Sequence, residues 1–506
     1  MMRKFGAAAL AATLLSTTAL HAVTADEVWA EWQQQYAAYG FKGTTGSQVR
    51  QGDTLVLSDV HLSNASDDKK VDLTIPELRM RETGNDTVEV TLSREMTGKV
   101  GGSTSTGEPL ELDLHVTQTD TRILVSGTDA NRRYEYTAPV VVIDMTQPAV
   151  PGTTESGAVD LTKAQPAIAM QITASGSEGE QRYEKGSEQR VVASGTVQSV
   201  QFAMTTHDTT EAGAREVKLR GDIADVKSES TTVTPLDATF EDMNAAMAQG
   251  LVRSNGSATY GASTWTVETT GEDGLTTVSG TADSGDFTVA VAPEGVRYAM
   301  TTQASKVKVE LPGMPLPFSG ALETAQFDVS FPMRKSDAPQ PYSGKIGLKN
   351  LTLSDEVWAI VDPRNNLPHT PATLTLDLDG TARPLTDLFS PEAAAQEQMP
   401  VEFDSLNISG LQLTALGADL TGHGALTFGR GPEGETVPEG AMDLRLAGGN
   451  GLMDNLTAMQ LVPQDQMMFV RMMLGLYAVA AGDDLYTSKI EFKSGGEILA
   501  NGQRIR

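Results

Sequence analysis

The sequence predicts a mainly β chain: a β-rich α+β protein of long antiparallel sheets, curved or two-lobed, with a few docked helices. Three observations carry that prediction. Short runs of apolar residues alternate with polar ones at period two, and each run is bounded by Gly, Asn, Asp or Pro. Helical periodicity is confined to a few separated segments. Gly and Pro number 48 and 23, which fits many short elements joined by turns and is too few for a collagen-like or low-complexity chain.

The N-terminus reads as a secretory signal over residues 1–22. Arg3 and Lys4 provide the positive start, Phe5 to Leu15 the apolar run, and Ala22 a small residue at the cut, with Ala25 as the rival. The apolar run is shorter than the roughly 20 residues a membrane span needs. No permanent transmembrane span is therefore expected after cleavage; an uncleaved N-terminal anchor is the alternative. The chain has no Cys, which removes disulfides and thiolate sites and fits a bacterial periplasm better than a eukaryotic secreted setting.

After the signal, Thr24-Ala25-Asp26-Glu27 forms a capping box, and Val28, Trp29, Trp32, Tyr36 and Tyr39 fall on one helical face before Gly40. Strand alternation then dominates. It runs through Val71-Leu73-Ile75, Val88-Val90-Leu92, Leu110-Leu112-Leu114-Val116 and Ile168-Met170-Ile172. It resumes at Phe287-Val289-Val291, Val307-Val309-Leu311, Phe327-Val329-Phe331 and Leu374-Leu376-Leu378. Such runs give sheets with one buried and one wetted face, and the abundant Thr suits the wetted side.

Further helices are expected at Thr239 to Gln249, at Ser354 to Val361, and from Ser390-Pro391-Glu392. A last pair covers Leu452 to Leu461 and Asp465 to Ala481, split by Pro463. The second of these is rich in Met and apolar on nearly all sides, so it must be covered on several sides or insert into something. Breaker-rich loops lie at 147–166, 332–341 and 429–440. The region from 23 to 506 divides into two expected lobes, about 23–250 and 251–506.

A net charge of −28 argues against nucleic-acid binding. Catalytic motifs fail on context. Ser66 to Lys69 and Lys493-Ser494-Gly495 imitate pieces of penicillin-binding enzymes, but the first lies in a polar turn where a helix start is required. No two of His61, His115, His207, His369 and His423 are closely spaced, as zinc would need. Asp377-Leu378-Asp379-Gly380 sounds like a calcium loop but continues a strand, which is expected to end there in an Asp-Gly turn. No catalytic, cofactor-binding or metal-ligating residue stands out, and no cofactor is implied.

Three segments resemble an uncharacterised exported bacterial family known only as a domain of unknown function. They are Asp26-Glu-Val-Trp-Ala-Glu-Trp32, then Trp358-Ala-Ile-Val-Asp-Pro363 with Leu367-Pro368 and Pro371-Ala-Thr-Leu374, and last Lys489 to Gly496 with Leu499 to Arg504. The closing pattern of helix pair, strand, Gly-Gly turn and strand ending in Asn501-Gly502 is similar to YdgA-type and AsmA-like periplasmic proteins. That resemblance implies long β-sheets and, for some members, shielding of lipid chains.

The expectation is a non-catalytic periplasmic protein of the cell envelope that holds lipid acyl chains on an apolar sheet face or acts as an envelope scaffold. Its partners would be lipid or another envelope protein. Apolar ligand contacts are expected from Phe469, Met472, Met473 and Leu476. The rival is a structural or adhesive surface protein that binds other proteins or glycans.

Overall fold

The computed structural model describes residues 22–66, 69–103, 109–149, 167–208, 215–236, 246, 250–314, 316–388, 390, 393, 400–430 and 436–506. Outside them lie the expected signal up to residue 21, the helix expected at 239–249 apart from Ala246, and the Pro391-Glu392 helix start.

All 27 strands belong to one antiparallel sheet. Helix α1 (Ala25–Ala38) leads to β1 (Lys42–Thr44) and β2 (Ser47–Gln51), which sit end to end along β3 (Thr54–Ser66). A hairpin follows to β4 (Lys69–Thr83). Next come two interrupted strands, β5 (Thr87–Leu92) with β6 (Glu95–Ser103) and β7 (Pro109–Thr119) with β8 (Arg122–Thr128), bridging β4 to β9 (Asn131–Gln147). Three long strands continue the meander: β10 (Ala167–Lys185), β11 (Gln189–Asp208) and β12 (Arg215–Thr234).

Interrupted strands then return as β13 (Arg253–Tyr260) with β14 (Ser263–Gly271) and β15 (Gly274–Ala282) with β16 (Ser284–Ala292). They connect β12 to β17 (Gly295–Glu310), so the ladder continues through residue 250. β18 (Phe318–Phe331), β19 (Gln340–Leu353), α2 (Asp355–Val361), β20 (Ala372–Pro384) and β21 (Val401–Ala415) follow. β22 (Ala418–Arg430) and β23 (Thr436–Ala447) precede the helix pair α3 (Gly449–Ala458) and α4 (Gln464–Tyr477). Last come β24 (Val479–Gly482), β25 (Leu485–Phe492) on β23, β26 (Ile498–Ala500) and β27 (Gln503–Arg504).

Irregularities in the ladder line up into a seam across the strands. Asp59 faces Pro76, Pro139 faces Gly176, and Gln198 lies between Gly176 and Asp225. The seam then passes the break at Gly261-Ala262 and Asp283, and Ala304 opposite Glu323, to Asn350. Six positions along it hold a residue at positive φ: Asp59 (49°), Asp120 (52°), Gly176 (63°), Asp225 (52°), Ala304 (52°) and Asn350 (55°). Each such residue uses up one step of the pleat, so the inward parity flips across the seam. Leu55 and Leu57 are odd and Val60 and Leu62 even, yet all four enter one core. Pro76 and Pro139 sit where no ladder N–H is needed.

That core is made by α1 lying on β3–β5 and β8–β9. The capping box forms as the sequence predicts: Thr24 accepts from the Glu27 N–H, and Glu27 accepts from the Thr24 N–H. Val28 and Trp29 pack on Leu57, Leu78, Met80, Val88 and Val90, with Trp32 and Tyr36 at the margin. Tyr39, expected on the same face, is exposed because it caps the helix end, where the backbone turns away at Gly40.

Two expectations need correction. The second helix of the C-terminal pair stops at Tyr477, and residues from Val479 are strand paired to β25. Of the two outcomes that its all-round apolarity allowed, cover by the chain or insertion into something, the first is not met among the described residues: Met467 is buried, while Met468, Phe469, Val470, Met472 and Leu476 are exposed. Arg471 of α4 pairs with Asp454 of α3, and Ser488 and Asn501 donate to the Tyr477 carbonyl at the C-terminal end of α4. Lastly, Asp379-Gly380 is no turn. β20 runs straight through it to Pro384, with Asp377 paired to Lys345 at 3.0 Å and Asp379 accepting from Asn407.

Candidate functional site

Residues directly opposite one another in an antiparallel ladder share a face, so register identifies what each face presents. One file can be followed across seventeen strands. It begins Leu55–Met80–Val90–Ile123–Tyr136, continues Gly179–Gly195–Ser228–Ala258, and proceeds Phe287–Met300–Phe327–Ile346–Leu376–Leu411–Gly422–Leu444.

The file has three stretches with different surroundings. Leu55, Met80 and Val90 are buried beneath α1. The second stretch is a floor of small residues. Tyr136 lies across it so closely that a Cβ on Gly179 or Gly195 would collide with its ring. In the third stretch the residues are large, apolar and open: Phe287 is 43% exposed, Met300 47%, Phe327 43% and Ile346 41%. Tyr298, Leu348 and Leu413 lie beside them on the same face and are likewise exposed. Four adjacent strands thus present an apolar stripe that nothing among the described residues covers, which a soluble chain does not ordinarily leave in water.

The opposite face is polar and its charges are paired across strands. Arg297 grips Asp328 through two nitrogens at 2.9 and 2.7 Å, Arg383 does the same to Asp404, and Lys99 meets Glu111 at 2.6 Å. These exposed pairs add little stability each, on the order of 0–1 kcal/mol, but they mark the face that stays in water.

Phe469, Met472, Met473 and Leu476 lie on α4 at the far end of the sheet. Phe469, Met472 and Leu476 point to solvent, and Met473 is half-buried. They form an exposed apolar helix face near the last strands, separate from the Phe287–Ile346 stripe. Sequence reading identified the alternation at Phe287 and Phe327 but did not single these residues out. Their signal was bulk: Phe, Met and Ile at positions that fall opposite one another only once register is known.

A cavity on the same face of the sheet lies between the C-terminal half of α1 and β10–β12. It encloses about 500 Å³, within the usual range for ligand pockets. Tyr183 lines it and is pushed up to about 12 by burial, so its phenol stays neutral and can donate.

Of the His residues weighed for catalysis, His369 has a structural setting. His369 stacks on Trp358 with ring centroids 4.0 Å apart, and its Nε2 lies 3.4 Å from Asp362. Buried Asp362 accepts from the backbone N–H groups of Asn366 and Leu367, which fastens the turn after α2. Lys493 to Gly496 is a turn between β25 and β26. Among the described residues no three potential metal ligands cluster, and no helix is long and apolar enough to cross a membrane.

Searches of protein-family models and of curated proteins find no match to this chain. The three sequence segments singled out above nevertheless share a physical role in helix attachment. Glu82 accepts from the Ala25 N–H, and Arg50 binds Asp26 at 2.8 Å, holding the start of α1. Asp362 closes α2. Asn501 donates to the Tyr477 carbonyl and accepts from the Lys489 N–H, tying the end of α4 to β25.

Proposed function

We propose that this chain is a non-catalytic binding protein of the bacterial cell envelope that holds lipid acyl chains along the apolar face of its sheet. The observation carrying this reading is the exposed file Phe287–Met300–Phe327–Ile346, in register on adjacent strands. With Leu376 and Leu411 it spans six strands, roughly 24 Å at about 4.8 Å per strand. One leaflet of a roughly 30 Å hydrocarbon core is about 15 Å deep, so the stripe can lay out a whole acyl chain.

The energetics favour a tail assisted by other contacts. Each methylene removed from water contributes about 0.8 kcal/mol, so about twelve would contribute roughly 10 kcal/mol if fully enclosed. An open face covers roughly half of that, which only matches the low end of the 4–15 kcal/mol cost of association. The uncovered helix face at Met472 and Leu476 offers a second apolar surface for the same class of molecule. Location in the periplasm belongs to the same proposal and draws on the N-terminal sequence and the absence of Cys.

Mass spectrometry of an organic extract of the folded protein, purified from its native periplasm, tests the reading. Stoichiometric phospholipid or fatty acid is expected, and it should disappear from a Phe327→Asp, Ile346→Asp variant that remains folded. An extract free of lipid from folded wild-type protein would overturn the proposal in favour of a scaffold binding other envelope proteins.

A further inference from the structure

We propose that the cleft between α1 and β10–β12 binds an uncharged polyhydroxyl group, such as a sugar ring. This deepens the acyl-binding reading, because the cleft floor is continuous with the file that carries the tail. Ser230 lines the cleft, and Ser228, two residues along β12 on the same face, belongs to the floor of small residues leading to Phe287.

The chemistry follows from which lining groups are already engaged. Arg132 is held by Glu31 through two nitrogens and also donates to the Gly127 carbonyl. Lys185 is paired to Asp129 at 2.5 Å. Both cations are therefore matched by carboxylates, and a charged head would have to break one of these pairs to find a partner. What remains around the 500 Å³ space is carboxamide, hydroxyl and aromatic groups set among aliphatic ones: Gln34, Gln181 and Gln189, then Ser230 and Thr234, with the Tyr183 ring as a flat wall and Val191, Leu236 and Val252 between them. Amides and hydroxyls both donate and accept, as a ring of hydroxyl groups requires, and an aromatic face suits its apolar C–H edge. The cavity is large enough for one such ring.

The same chemistry could come from a free sugar or from the head of a glycolipid, and two probes separate them. Methyl β-D-glucopyranoside presents the ring alone; n-octyl β-D-glucopyranoside, below its micellar concentration, adds a tail. Binding of both to the full chain would be followed by calorimetry and by NMR saturation transfer to the sugar protons. Two variants address the cleft: Ala193→Trp fills it, and the double change Gln181→Ala, Gln189→Ala removes amides without filling it. Circular dichroism and the unfolding midpoint verify that each is folded.

Both glycosides are expected to bind, and each cleft variant should weaken them at least tenfold. Tighter binding of the octyl compound, lost also in Phe287→Asp, two strands from Ser228, identifies a glycolipid; equal affinities identify a free sugar. If neither glycoside binds, or both cleft variants bind as wild type does, the proposal is overturned. Octyl glucoside that responds to Phe287→Asp but to neither cleft variant would overturn the cleft alone and leave the acyl reading standing.

Discussion

Glu31 of α1 and Arg132 of β9 form a largely buried ion pair at the edge of the α1 cleft, with the guanidinium Nε 3.0 Å from Oε2 and Nη2 2.5 Å from Oε1. The Tyr134 hydroxyl also donates to the carboxylate. The pair fastens the helix that covers one end of the apolar face and borders the α1 cleft, so the extent of open sheet depends on it.

Removing one partner should be costly. Glu31→Gln leaves the Arg132 charge buried with a neutral acceptor and is expected to cost about 3–5 kcal/mol. The double change Glu31→Leu, Arg132→Met should cost much less than the sum of Glu31→Leu and Arg132→Met made singly. Urea unfolding of the four proteins in the cycle checks this, and additive costs would show that the two side chains act independently.

The α4 residues should behave as surface and not as core. Because Met472 and Leu476 are exposed, changing either to Asp is expected to shift stability by no more than about 0.5 kcal/mol. The same changes should reduce the lipid recovered with the protein. The opposite ranking, a large fall in the unfolding midpoint with lipid unchanged, would mark the helix as packed in solution.

The seam predicts two substitutions of opposite sign. At Gly176 the backbone is left-handed and a Cβ would strike Gln198, so Gly176→Ala should destabilise by about 1–2 kcal/mol or more. Ala304 holds a similar φ with a side chain, so Ala304→Gly should be neutral or stabilising by up to about 1 kcal/mol. Chemical denaturation of both variants would refute the account if their order were reversed.

Asp362 predicts an acid limb in stability. Burial works against its charge, but the backbone N–H groups of Asn366 and Leu367 and the Asn366 side chain outweigh this and hold the carboxyl below its usual range. Its contribution is thus complete above about pH 4, the unfolded value, and is lost as pH falls through the lower folded value. In Asp362→Asn the unfolding midpoint should be lower at neutral pH and depend less on pH below 4. Parallel pH profiles for the two proteins would count against it.

Much of the fold was legible in order. Alternation at Val88-Val90-Leu92 or Leu374-Leu376-Leu378 locates strands because the pleat sends successive side chains to opposite faces, a property of a few neighbouring residues. Thr24 and Glu27 likewise announce α1, since a cap is satisfied within one turn. The Asp and Asn residues at the seam, such as Asp59, Asp225 and Asn350, carried a weaker signal: turn-forming residues in the middle of long strand patterns.

What the sequence by itself determined is therefore local: β strands with one apolar and one polar face, a capped first helix, and a Met-rich last helix. Tertiary structure decided what each apolar surface meets. Leu55 and Phe327 stand in the same file and read alike as residues of alternating strands, yet α1 buries the first and nothing among the described residues covers the second. Burial depends on which distant segment comes to lie on a face, and Glu31 reaches Arg132 across a sequence separation of 101. No pattern within a single strand encodes that meeting.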